Sequence, residues 1–169
     1  MEEQAKREQN RLQREKIRAF DKNEIDSYTA LMNHILCGMF TVFAVMLLMF
    51  PVQEDEYVTL YGGLFALWAA FYRINQYTKV KEGENKIVSL YDKLKYLAID
   101  RKQIILVRIE YLFRFQSKVL LAALVAQIAG AYLASGKVTW ENILWVLMAS
   151  WGIPILVVSI DIIFSTRDH

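Results

Sequence analysis

Polar chemistry inside an apolar stretch is costly, and four residues of this 169-residue chain stand where it would occur: Asn33, His34, Gln127 and Asp161. An ionisable side chain among apolar neighbours calls for a partner and is read first as a functional site. Asn33 and His34 enter one apolar run about one and a half helical turns from its charged end. Asp161 leaves another run at a similar depth, within Ile155-Leu-Val-Val-Ser-Ile-Asp-Ile-Ile-Phe164. If the two runs touch, Asn33, His34 and Asp161 form a buried polar cluster, and a His beside a carboxylate responds to pH. The plainer alternative is that Asp161 reaches toward the nearest polar layer or pairs with Arg167 or another basic residue, fixing helix position only. Gln127 lies in the middle of a third run and must find a hydrogen bond there. A structural bond is the first expectation for it, a conduction role the second.

Other chemistry finds little footing. Cys37 shares a helix face with His34, but two ligands do not make a metal site, and Cys37 reads as a small apolar residue. One cysteine also excludes an internal disulfide and any multi-cysteine metal site. There is no Gly-rich phosphate loop, no Ser/His/Asp arrangement, and one of the two histidines is the terminal His169. No metal, no cofactor and no enzymatic activity are expected.

The elements that position these residues follow from hydropathy. The chain is 55% hydrophobic, and apolar runs occupy about Tyr28–Phe50, Tyr57–Tyr72, Val119–Ser135 and Ile143–Phe164. The two longest have the length of a membrane-spanning helix, and the shorter two need flanking residues to complete a span. A long charged segment precedes the first run, which does not have the pattern of a cleavable signal peptide. Nineteen of the twenty Lys and Arg residues fall in the N-terminal segment, the central segment and the tail, leaving Lys137 alone in a short loop. The loop after the first run is acidic (Glu54, Asp55, Glu56). The positive-inside rule puts the basic side in the cytoplasm, with both termini there.

The expected fold class is therefore all-α: an integral membrane protein of four transmembrane helices in two hairpins, with a cytoplasmic helical layer. The divisions are a charged helix at 1–26, a first hairpin at 27–80, a cytoplasmic helical region at 81–117, a second hairpin at 118–166 and a tail at 167–169. The first span is expected over Ser27–Phe50, ending at Pro51. The second continues inward as far as a turn at Lys81–Asn85 around Gly83. A cytoplasmic helix over Asn85–Ala98 would present Ile87, Leu90, Leu94 and Leu97 on one face. The N-terminal helix has a thin apolar stripe of Leu12, Ile17, Phe20 and Ile25, and either lies near anionic headgroups or docks on a partner.

The longest element should run from Asp100 to Ser135, opening with a capping box of Asp100 and Gln103. At ~1.5 Å per residue it would be roughly 54 Å long, well beyond a hydrocarbon core of ~30 Å. Its basic half carries too much apolar surface to stand alone in water. Its apolar half has small residues at a four-residue interval, Ala122, Ala126, Gly130 and Ala134, a ridge for close helix packing, beside a parallel row of Ala123, Gln127, Ala131 and Ser135. The last span, over Glu141–Thr166, should kink at Gly152 and Pro154. Both halves repeat one plan, a charged segment and then a hairpin of spans, without residue-level similarity.

Three functional expectations follow. The first is a small homo-oligomeric pore, ion-conducting or membrane-permeabilising, controlled through its cytoplasmic helices. The second is a non-conducting anchor or adaptor for a cytoplasmic protein partner. The third is a proton-coupled transporter using His34 and Asp161. Lipid is the expected surrounding partner, and the expected location is a bacterial inner membrane. Nucleic acid is disfavoured, because the basic residues are interleaved with acids and are already required by topology.

Overall fold

The computed structural model describes residues 2–25, 27–82, 86–134 and 137–166. The elements are helices α1 (Glu2–Glu24), α2 (Ser27–Leu47) and α3 (Glu56–Asn75), a hairpin of strands β1 (Lys79–Glu82) and β2 (Lys86–Ser89), and helices α4 (Leu90–Lys95), α5 (Arg101–Leu133), α6 (Trp140–Leu147) and α7 (Ile153–Ser165). A π-helical turn, Met148–Gly152, joins α6 to α7. The fold is all-α apart from the one short hairpin. Three helices are long and apolar enough to cross a membrane: Ser27–Leu47, Arg101–Leu133 and the composite Trp140–Ser165. The 20-residue α3, with Glu56 and Arg73 near its ends, is not among them.

Side-chain caps fix most of the helix starts. Asp55, Ser89, Asp100 and Thr139 each accept a hydrogen bond from a backbone N–H in the first turn of α3, α4, α5 and α6. The capping box expected at Asp100 does not close on itself. The Asp100 side chain accepts from Lys102 N as expected, but its own N–H donates to Gln13 Oε1 on α1. Gln103 instead accepts from Arg14 Nε at 2.8 Å. A docked α1 has taken over the second half of the box.

α5 is the axis of the molecule. Four apolar clusters succeed one another along it: Ile104 and Val107 with Ile17, Leu90, Tyr91 and Leu94; Leu112 with Ala70, Ile74, Val158 and Ile162; Val119 with Ala44 and Ala66; and Ala123 with Leu48, Val146 and Ala149. α2 packs on α3, and α3 packs in turn on α5, α7 and the π turn. α1 lies along the basic half of α5, which is where the surplus apolar surface goes.

Two expectations require correction. The helix expected over Asn85–Ala98 is a strand followed by a short helix, and α3 ends at Asn75 instead of running on toward Gly83. Val80 pairs with Val88 and Lys81 with Ile87, so the β-branched residues of this stretch enter a ladder. Leu90 and Leu94 are buried, whereas Leu97 is exposed, because the chain turns at Ala98 with a left-handed φ of 49°. The turn residues Gly83, Glu84 and Asn85 lie outside the described residues, as do Asp26, Ser135, Gly136 and the tail 167–169.

The second concerns the packing ridge of α5, which the single chain uses only in part. Gly130 is buried, but Ala122 and Ala134 are exposed and Ala126 is half-buried; the buried row is Ala123, Gln127, Gly130 and Ala131. A strict four-residue interval drifts about 40° around a 3.6-residue helix at each step, so Ala122 and Ala134 cannot face one neighbour together. Gly130 alone of the expected ridge meets a backbone: a Cβ there would lie 2.1 Å from the Met49 carbonyl oxygen.

Candidate functional site

The proposed kink is present as the π turn before Pro154. Proline has no N–H to give to the carbonyl four residues back, here that of Ser150. Gln116 of α5 supplies the missing donor, its Nε2 lying 3.1 Å from Ser150 O and 3.4 Å from Ala66 O. Gln116 is fully buried, so this amide holds α3, α5 and the kink together where no water reaches. Gln116→Leu should lower stability by about 1–3 kcal/mol, the cost of orphaning a buried carbonyl. Adding Pro154→Ala, which restores a backbone N–H, should recover part of that loss, as read by thermal unfolding in detergent. Equal loss in the single and double variants would refute the link.

The three residues expected to cluster are not brought together. α3 stands between α2 and α7. His34 Nδ1 lies 2.6 Å from Ala30 O, and Arg73 Nη1 of α3 donates to His34 Nε2 at 3.1 Å. The ring therefore carries its proton on Nδ1. Arg73 also donates to Gln76 Oε1 and lies 5.7 Å from the ring centroids of Tyr77 and of Phe115. Asn33 is half-buried on α2 and Cys37 is buried. Gln127 is 1% exposed, and neither its Nε2 nor its Oε1 has a hydrogen-bond partner.

Asp161 lies elsewhere, at the edge of a cavity of about 800 Å³ bounded by α3, β2, α4 and α7. One end of the cavity is apolar and ring-rich, with Leu67, Trp68, Phe71 and Tyr72. The rest of the lining is mixed, with Ile74 and Val88 beside Asn75, Thr78, Ser89, Tyr91, Asp161 and Ser165. α2 contributes no side chain to it. The Tyr91 hydroxyl is buried without a well-formed hydrogen bond, and burial pushes its pKa up, against the opposing pull of the nearby Arg108 and Ser165 side chains. Among the described residues, no group of three or more His, Cys, Asp or Glu side chains is placed to hold a metal ion.

Between cavity and α1 lies an ion pair that the basic-residue pattern concealed. Arg108 is fully buried and donates from both terminal nitrogens to Asp21 of α1, Nη2 to Oδ1 at 2.8 Å and Nη1 to Oδ2. Its guanidinium carbon sits 5.6 Å from the Tyr77 ring centroid, and Tyr77 stacks on Tyr111 at 4.5 Å. Burial, then the nearby Asp21 and Tyr77 charges, hold the Tyr111 pKa above its usual value. Arg18 donates to Glu110 at 2.7 Å at the exposed rim of this contact. The signal was in the sequence: Arg108 lies four residues from both Ile104 and Leu112, and a charge between apolar residues on one helix face demands a buried partner.

No family model, curated protein or solved structure matches this chain. The functional reading rests on the arrangement itself: an outer helix locked to the long axis by a buried ion pair, and a cavity beside it.

Proposed function

We propose that this chain is a four-span membrane protein with both termini in the cytoplasm, acting as an anchor that presents a pre-assembled cytoplasmic face to a protein partner. The fourth span is α3, whose Gly62 and Gly63 lie close against Leu48 and Ala149; packing within the bundle offsets its weaker hydropathy. The observation that carries the reading is the Arg108–Asp21 pair. It seats α1 on the basic half of α5, so that a load on α1 reaches a membrane-crossing helix directly. The outward face of α1 remains free for contact, with Glu3, Arg7, Glu8, Arg11 and Glu15 exposed in short-range ion pairs. Such rim charges add little stability but steer association and set its salt dependence. The Gln116 bridge and the Ala66–Val119 contact fill the middle of the bundle, which supports a non-conducting role for the single chain.

An oligomeric pore, controlled through the same cytoplasmic layer, is the second reading. The exposed small side chains of Ala122 and Ala129 on α5 support it, as a face on which a second copy could approach closely. The two readings separate on one preparation. The anchor should stay a monomer or compact dimer in nanodiscs, pass no ions in liposomes and lose its partner when residues 1–25 are deleted. A closed ring with an axial opening and ion flux would overturn the anchor in favour of the pore.

A further inference from the structure

We propose that the cavity bounded by α3, β2, α4 and α7 binds one amphiphile whose headgroup carries an ammonium, with Asp161 as counter-ion and the apolar tail along Leu67 and Phe71. The inference rests on the fold and goes beyond the partner-docking reading. A volume of about 800 Å³ is that of a small-molecule site, for which roughly 300–1,000 Å³ is usual. The lining carries both apolar and polar groups, as an amphiphile does.

Charge chooses the headgroup. Asp161 is the one carboxyl side chain among the described lining residues, and none of those residues is Lys or Arg. The ring of Tyr91 borders the same end as Asp161, and aromatic faces attract ammonium groups. An independent observation marks that end as a binding surface. Tyr91 is 7% exposed, lines the cavity, and its hydroxyl makes no well-formed hydrogen bond, although Ser165 and Arg108 lie near it. A buried hydroxyl without a well-formed bond is costly, and a headgroup N–H or oxygen would satisfy it. Tyr91 also belongs to the apolar cluster that includes Ile17 of α1, so an occupied cavity bears on the seat of that helix.

The test is native mass spectrometry of the full chain in non-ionic detergent, with decylammonium as probe and decyl sulfate as its anionic counterpart. The expected result is one saturable cation adduct, about ten-fold weaker in Asp161→Asn. Leu67→Trp, which fills the apolar end and leaves Asp161 in place, should weaken it comparably. Asp161 is exposed and Leu67 half-buried, and unchanged thermal unfolding of both variants shows that the loss is one of binding. Equal affinity in Asp161→Asn, or equally tight binding of decyl sulfate, would overturn the proposal. A phospholipid with an ethanolamine or choline headgroup, carried through purification and displaced by the probe, identifies the bilayer as the source. An empty site that accepts the probe points to a soluble amphiphilic amine. The assay needs no partner protein, so its failure leaves the anchor reading standing, and failure of the anchor leaves this site standing.

Discussion

Asp21→Ala is expected to release α1 from α5, at a cost of roughly 3–5 kcal/mol for leaving Arg108 buried without its counter-charge. The pair is almost fully enclosed, with the two side chains 0% and 3% exposed. Salt should therefore screen it far less than the rim pair Arg18–Glu110. The release should appear as rapid amide exchange and proteolysis within Glu2–Glu24, while the exchange of α2 and of the apolar half of α5 is retained. Replacing both partners, Asp21→Leu with Arg108→Met, should return α1 to its seat, because an apolar pair of similar volume avoids the desolvation of two charges. The single and double variants together separate loss of a charge partner from loss of packing. A protected α1 in Asp21→Ala would show that Ile17 and Phe20 hold the helix without the ion pair, and the proposed coupling between α1 and α5 would fall.

Gly130→Ala should be the most disruptive single-methyl change in the apolar half of the bundle. The added Cβ would lie 2.1 Å from Met49 O and 2.8 Å from Met49 Cγ. The nearer atom belongs to the backbone, so no rotamer change relieves the overlap, and α5 must move away from the chain leaving α2. The expected loss is about 3 kcal/mol, at the upper end for overpacking. Gly38 provides the control, because a Cβ there meets nothing within 4 Å. Gly38→Ala should be neutral or stabilising by about 0.5–1 kcal/mol through helix propensity. Thermal unfolding of the two variants in the same detergent decides the matter, and similar midpoints would refute a tight crossing at Gly130.

The helices themselves were legible from local physics. Asp100 caps α5, and the absence of Pro or Gly before Gly130 lets that helix run for 33 residues. Ile17 and Phe20 lie on a thin stripe that left headgroup contact and docking both open, and their burial against α5 and α4 decided for docking. The pattern of Pro154 and Gly152 gave the kink. Less legible was the stretch from Lys79 to Lys95, where Ile87, Leu90 and Leu94 fit a helical face as well as they fit a strand followed by a short helix. Periodicity over so few residues cannot separate the two, and the antiparallel pairing of Val88 with Val80 and Ile87 with Lys81 decided for the strand.

The composition of the candidate site lay further out of reach. His34 and Asp161 were matched because they stand at similar depth in their apolar runs, but depth fixes only one of the coordinates needed for contact. Helix order around the bundle fixes the others, and α3 between α2 and α7 gives His34 to Arg73 while leaving Asp161 at the cavity with Tyr91. Gln116 shows the same limit, since its role depends on a carbonyl 34 residues away that Pro154 cannot serve. The sequence alone determined where the long helices run and which stretches are apolar. Only the tertiary structure chose Asp21 as the counter-charge of Arg108 and the row of α5 that packs. Those choices follow from contacts between residues far apart in the chain, whereas hydropathy and capping act within a few turns.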